Sequence, residues 1–134
     1  MADIKREGSD MTLVTYGMMT HHSLKAAETV QTEDGLSVEV IDLRSVSPWD
    51  RVCVLKSVEK TGKVLVVYED NITGGFGAEV AATVAQEGFE FLDGPVTRVA
   101  SPDVPLTPYS GILEQYILPN PEKIAEAIRK LAAY

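Results

Sequence analysis

The sequence predicts an α/β domain whose sheet is parallel or mixed and is covered by helices on both faces. Three observations carry that expectation. Apolar segments of strand composition alternate with segments of helical period along the chain. The segment "KVLVVY" at residues 63–68 is almost continuously apolar, as a strand buried on both faces requires. At 134 residues the chain is long enough to bury roughly two thirds of its unfolded surface without a metal or a disulfide.

The elements follow in order. Residues 3–7 predict a short edge strand, closed by a turn over Gly8 to Asp10. "MTLVTY" at 11–16 is β-branched and aromatic and reads as a buried strand between Gly8 and Gly17. Over 20–33 the period changes: Leu24, Ala27 and Val30 recur at helical spacing, and Gly35 suits the left-handed closing position. A strand follows at 36–43. "SPWD" at 47–50 predicts a helix start, with Ser47 as cap, Pro48 at the first helical position and Asp50 as the acid of a capping box. Trp49, Val52, Leu55 and Val58 give that helix an apolar face, and Thr61-Gly62 ends it. Cys53 is the one cysteine, so no internal disulfide forms; in this apolar stretch it is expected to be a buried thiol rather than a reactive one. After the strand at 63–68, a glycine-rich loop leads into a helix over about residues 76–87. A last clear strand lies at 96–100. Residues 101–119 hold four prolines and little periodicity, and Asn120 and Pro121 cap and open a final helix through about residue 133. The pattern predicts one domain, with no repeat and no flexible linker.

Charge narrows the classes of partner. The formal net charge is -8, from 20 acidic and 12 basic residues, which sets the chain against nucleic acid. The same acidity either attracts a basic protein partner or only aids solubility. No apolar run approaches the ~18–20 residues of a membrane span. The opening "MADIKREGSD" lacks the apolar core of a secretory signal, so a cytoplasmic place is expected. The chain begins directly on strand-like sequence, which predicts a domain cut from a longer protein.

Few residues suggest chemistry. Gly74, Gly75 and Gly77 follow a strand and precede a helix, where free N–H groups can hold an anion. The segment has neither the lysine nor the spacing of a phosphate loop, so a tight turn with close helix packing is the simpler reading. Gly77, Ala81 and Ala85, widened by Ala78 and Ala82, give that helix a small face that another backbone can approach. His21 and His22 stand at a helix start. Neighbouring histidines diverge by about 100° on a helix, which disfavours a shared metal. His21 is a candidate to line a ligand channel, or else an ordinary solvated or packed histidine. Glu69 stands at the carboxyl end of a strand, where open α/β sheets place their sites, but acids are also common in turns. Pro102 and Asp103 belong to a stiff "SPDVPLTP" loop of the kind that forms contact surfaces, or plain connections. Tyr134 closes the chain with an aromatic ring. No Ser-His-Asp set, carboxylate pair or Cys-His pair can be assembled from spacing. No catalytic residue, cofactor-binding residue or metal ligand is therefore assigned.

Five stretches together resemble one family: "GSDMTLVTYG" at 8–17, "SVEVIDLRSVSPWD" at 37–50, "SVEKTGKVLVVYED" at 57–70, "GGFGAEVAATVAQEGFEFLDGPVTRVASPDVPLT" at 74–107 and "ILPNPEKIAEAIRKL" at 117–131. They are similar to the C-terminal domain of the E1 β subunit of thiamine-dependent 2-oxoacid dehydrogenases, the pyruvate and branched-chain enzymes, and so to the transketolase C-terminal domain. The resemblance implies a three-layer α/β/α domain with a mostly parallel five-stranded sheet and one antiparallel strand. It implies a domain over residues 1–134 taken from a longer β subunit. Its partners would be the E1 α subunit, a second β subunit and the subunit-binding domain of the E2 acyltransferase. Thiamine diphosphate and magnesium are implied for the whole enzyme, with none held in this domain. His21 stands where many such β subunits have a histidine. Glu69, the glycines Gly74, Gly75 and Gly77 with Glu79, and the Pro102-Asp103 pair match family positions. Thr20-His21-His22 and Asp70-Asn71 depart from the usual pattern, which leaves the substrate open. The resemblance makes the domain one for subunit assembly and partner docking, inactive alone. The alternatives are a free-standing interaction module of the same fold, or part of a split transketolase-like enzyme. The last needs exposed Arg or Lys near the sheet's carboxyl edge, where few stand.

Overall fold

The computed structural model describes residues 1–46, 48–71, 75–101 and 119–134. Its elements are β1 (Asp3–Arg6), β2 (Met11–Thr15), α1 (Met19–Asp34), β3 (Val38–Asp42), α2 (Arg51–Thr61), β4 (Val64–Asn71), α3 (Phe76–Glu87), β5 (Thr97–Ser101) and α4 (Pro121–Ala132). The strands form one five-stranded sheet in the order β1-β3-β2-β4-β5. β1 runs antiparallel to β3, and the other neighbours are parallel.

Strand alternation builds two cores. Met11, Leu13, Val38, Val40, Leu65 and Val67 pack with Ala26, Ala27 and Val30 of α1 and Ile124 and Ile128 of α4. Val14, Leu43, Val64, Val66 and Tyr68 pack with Val54 and Val58 of α2 and Val80 and Val84 of α3. The sheet thus lies between two helical layers, as the resemblance implied, and β4 is apolar on both faces because both are covered. Each buried Val, Leu or Ile contributes roughly 1.5–3 kcal/mol relative to an exposed one.

Several local signals act as read. Gly35 closes α1 at φ 68, and its N–H bonds to Gln31 and Val30 carbonyls. Gly62 closes α2 at φ 76, and a Cβ there would meet the Asp93 carboxylate at 2.3 Å, so both conformation and space demand glycine. Asn120 caps α4 by accepting the Lys123 N–H at 2.8 Å, with Pro121 opening the helix. Exposed Arg129 ties α4 to the last turn of α1 through Glu33 and Asp34.

The start of α2 differs from expectation. The helix begins at Arg51, and Asp50 is itself the cap, accepting the Cys53 N–H at 3.1 Å. Ser47 lies outside the described residues, and Pro48 precedes the helix. Asp50 also accepts the Ala2 N–H at 3.1 Å, a tie to the chain start that a local pattern does not reveal. The face of α2 differs too: Val54, Ser57, Val58 and Thr61 are buried, whereas Val52 is 64% exposed. Cys53 is half-buried rather than buried. Burial, then the Asp50 and Glu39 charges, push its thiol up, away from the reactive thiolate.

Candidate functional site at the carboxyl edge of the sheet

β2 and β4 are neighbours in the sheet, yet the chain leaves them across opposite faces. α1 carries it from β2 toward β3, and α3 carries it from β4 toward β5. The carboxyl ends of the two strands therefore part, and such a switch point is where open α/β sheets form a crevice for ligands.

On the β2 side the chain turns at Gly17, φ 66, into α1, with Met18 exposed. His21 is exposed in the first turn of α1 and His22 is half-buried. On the β4 side Tyr68 is fully buried and its hydroxyl oxygen accepts from Arg98 Nη1 at 3.2 Å. Glu69 is exposed and lies within β4, which runs on to Asn71; its carbonyl accepts the Ser101 hydroxyl at 2.6 Å. Gly75 caps α3 with no side chain to bond. Gly77 is buried in the first turn because a Cβ there would lie 2.0 Å from the Tyr68 ring. Phe76 stacks edge-on with Tyr16 at 5.8 Å and Trp49 at 6.4 Å, which closes the α2–α3 side of the edge. Glu79 is exposed in the same first turn, where its charge suits the positive end of the helix. That acid opposes an anion at the α3 start.

The carboxyl edge thus gathers Glu69, Gly75, Gly77 and Glu79 around the end of β4, with His21 on the α1 side. Gly74, Pro102 and Asp103 lie outside the described residues. Tyr134 sits at the opposite, amino edge. Its carbonyl and that of Ala132 accept Lys63 Nζ at 2.9 and 3.1 Å, just before β4 begins. Its ring is exposed. The small face of α3 is divided: Gly77 and Ala81 meet the domain's own sheet, and Ala82 and Ala85 are exposed. Among the described residues no three His, Cys, Asp or Glu side chains are placed to hold a metal ion.

Three features escaped the sequence reading. Thr15 ends β2, and Thr20 and Ser23 lie on the buried face of α1; among the described residues their buried hydroxyls have no hydrogen-bond partner. Arg44 follows β3 at φ 63, a left-handed backbone held by Asp42, which accepts its N–H at 3.0 Å. At the amino edge, Glu39 of β3 is only 2% exposed. Its carboxylate accepts the Ser57 hydroxyl at 2.6 Å, the Gly8 N–H at 3.3 Å and the Lys60 ammonium. Burial pushes the Glu39 carboxyl up, but Lys60, Ser57 and Gly8 together outweigh it and hold the group below its ordinary value. The first two features had no sequence signal. Glu39 had one: an acid at an inward position of the apolar run "LSVEVIDL", with Ser57, Lys60 and Thr61 at helical spacing on α2.

Comparisons with known proteins agree with this architecture. The family described as "Transketolase, C-terminal domain" matches residues 1–124. The chain is 44% identical to the 2-oxoisovalerate dehydrogenase subunit beta of Bacillus subtilis over 99% of its length and 40% of that protein. It is also 44% identical to the pyruvate dehydrogenase E1 component subunit beta of Bacillus subtilis, with the same coverage. Among solved structures, it superposes on a split gene transketolase, an inactive beta4 tetramer, at TM-score 0.86 and 28% identity, covering 99% of this chain and 42% of that one. The chain therefore spans about two fifths of the length of these relatives. A match over this much of the chain, to proteins of the fold built above, shows that the chain belongs to the transketolase C-terminal domain family.

Proposed function

We propose that this domain serves subunit assembly and partner docking in the E1 β subunit of a thiamine-dependent 2-oxoacid dehydrogenase. The observation that carries the reading is the 44% identity along nearly the whole chain to β subunits of two such dehydrogenases. The whole enzyme would decarboxylate a 2-oxoacid on thiamine diphosphate and pass the acyl group reductively to the lipoyl-lysine of E2. Its partners would be the α subunit, a second β subunit and the E2 subunit-binding domain, in the cytoplasm of the source cell. Thiamine diphosphate and magnesium do not fit this chain's own residues. The α3 start presents Glu79, and no lysine stands between Lys63 and Lys123. No step through the cofactor is assigned to this chain.

The docking part of the reading draws on acidity and on position. The net charge of -8 suits an Arg- or Lys-rich partner, with long-range attraction mainly raising the association rate. Tyr134 offers an exposed ring on a backbone pinned by Lys63. Asp103, outside the described residues, is the proposed acidic contact. The test is surface plasmon resonance of complete E1 against the E2 subunit-binding domain, comparing Asp103→Asn, Tyr134→Ala and an E1 lacking this domain. Loss of binding on removal is expected from an assembled E1; retained affinity there overturns the docking role. Calorimetric titration of the chain alone with thiamine diphosphate and magnesium should show no binding, and micromolar affinity would refute that part.

A second reading rests on the solved split gene transketolase, at 28% identity. It makes the chain the C-terminal part of a split enzyme acting on sugar phosphates. Turnover of a sugar phosphate, and not of a 2-oxoacid, by the reassembled enzyme would favour it.

A further inference from the structure

Under α2, the hydroxyls of Ser57, Thr12 and Thr61 continue from Glu39 in a single line, and counting their protons fixes its direction. Glu39 Oε2 accepts the Ser57 hydroxyl at 2.6 Å, which commits the one Ser57 proton. Ser57 Oγ and Thr12 Oγ1 are 2.6 Å apart, so Thr12 must donate there. Thr12 Oγ1 and Thr61 Oγ1 are 2.7 Å apart, so Thr61 donates in turn. The last contact, from Thr61 Oγ1 to the Lys63 carbonyl at 3.2 Å, is then left without a proton. With Glu39 ionised, all three hydroxyl protons point toward the carboxylate.

A proton taken up from solvent at Glu39 Oε2 changes the count to four protons for four contacts. Glu39 can then donate to Ser57, Ser57 to Thr12, Thr12 to Thr61, and Thr61 to the Lys63 carbonyl. Each hydroxyl keeps its own proton and only rotates. Oε1, the other carboxyl oxygen, goes on accepting from Lys60 and Gly8. A cleft of about 240 Å³, lined by Ile4, Cys53, Lys56 and Lys60, opens on Glu39 and Ser57 and gives the proton a way in. The groups that face Glu39 are thus Cys53, Lys56 and Lys60 from α2, apolar Ile4 from β1, the Gly8 amide from the following turn, and uncharged Thr12 from β2.

We propose that Glu39 is a proton sensor whose charge sets the direction of this relay, so that proton uptake at β3 arrives as a new hydrogen bond at the Lys63 carbonyl. Lys63 is a place where such a signal matters. Its carbonyl already accepts the Thr12 N–H at 2.8 Å, and its ammonium holds the last turn of α4. The relay thus joins the protonation of one edge of the domain to the anchor of its final helix.

The test is a carbon-13 NMR pH titration of the full chain, following the Glu39 carboxyl carbon and the Lys63 carbonyl carbon. Both should inflect at one midpoint below the ordinary value of 4.5. Thr12→Val cuts the line at its middle; it should keep the Glu39 titration and flatten the Lys63 response. Lys60→Met should raise both midpoints together. Glu39→Gln, which keeps the shape and removes the titration, should leave Lys63 flat. The proposal is overturned by a Lys63 carbonyl that ignores the Glu39 midpoint. An inflection that survives Thr12→Val or Glu39→Gln, or that appears only with loss of the whole fold, also overturns it.

Discussion

The two edges of the sheet treat buried polar groups in opposite ways. At the amino edge Glu39, Ser57, Thr12 and Thr61 are buried and bonded to one another. At the carboxyl edge Thr15, Thr20 and Ser23 are buried with no partner among the described residues, while His21, Glu69 and Glu79 stand in solvent. A satisfied network fixes how α2 sits on the sheet. Unsatisfied hydroxyls cost stability, about 1–3 kcal/mol for each left unmade. The buried polar residues at the amino edge therefore hold the fold, whereas His21, Glu69 and Glu79 at the carboxyl edge are exposed.

The comparison can be broken by substitution. Glu39→Ala should have the largest effect, about 3 kcal/mol of stability, because it strands the Ser57 hydroxyl, the Gly8 N–H and Lys60. The denaturant midpoint measures it, and an unchanged value would mean that the amino-edge network carries no stability. Gly77→Ala should cost about 2 kcal/mol, since its Cβ would collide with the buried Tyr68 ring. That change touches the carboxyl side through packing alone, so a fall in thermal midpoint with unaltered pH dependence is expected. Ser23→Ala should be the mildest, between neutral and about 1 kcal/mol stabilising, because it deletes an orphaned hydroxyl. A clear loss of stability in Ser23→Ala would show that the hydroxyl has a partner in solution.

Acid sharpens the same contrast. Glu39 and Asp50 are both held below their ordinary values in the folded chain. For Asp50 the causes are the Cys53 and Ala2 N–H groups, against a smaller push upward from burial. A carboxyl depressed by folding stabilises the fold above its unfolded value, and that stability is lost as pH falls through the folded value. Stability should therefore be flat from neutral pH down to the ordinary carboxylate range and fall below it. Hydrogen exchange should report the loss first in α2, which both groups hold. Simultaneous loss in α2 and α4 would contradict this order.

The sequence was most legible where one physical rule decided the outcome. Helix α3 spans the residues that its period indicated, and β4 is apolar because both faces are covered. It was least legible at α2. The "SPWD" pattern fits a cap at Ser47, but Asp50 also holds the distant Ala2 N–H, and that tertiary bond favours Asp50 as the cap. An apolar stripe through Val52 was expected for the same helix. The buried face instead carries Ser57 and Thr61 beside Val54 and Val58, because it covers the Glu39 network as well as an apolar core. Periodicity counts hydrophobes, and a helix that buries hydroxyls against a carboxylate is misread by that count. At the carboxyl edge, Glu69 and Gly77 stand beside the end of β4, as their place after an apolar run indicates, whereas Glu79 is singled out only by the family resemblance. The orphaned hydroxyls were missed because their missing partners are a property of the fold, not of residue type.

The antiparallel strand β1 has a consequence for how the molecule behaves in concentrated solution. β3 is apolar and paired on its far side with β2, so without β1 its free N–H and C=O groups would face solvent beside Val38, Val40 and Ile41. Such an edge is a template for strands of other molecules. β1 covers it with Asp3, Lys5 and Arg6, and its register shifts between Ile4 and Arg6, which interrupts the ladder a foreign strand would extend. The short charged strand therefore acts as a guard against aggregation. Trimming residues 1–7 should leave the parallel strands intact and increase self-association relative to the full chain, visible as faster growth in light scattering over time.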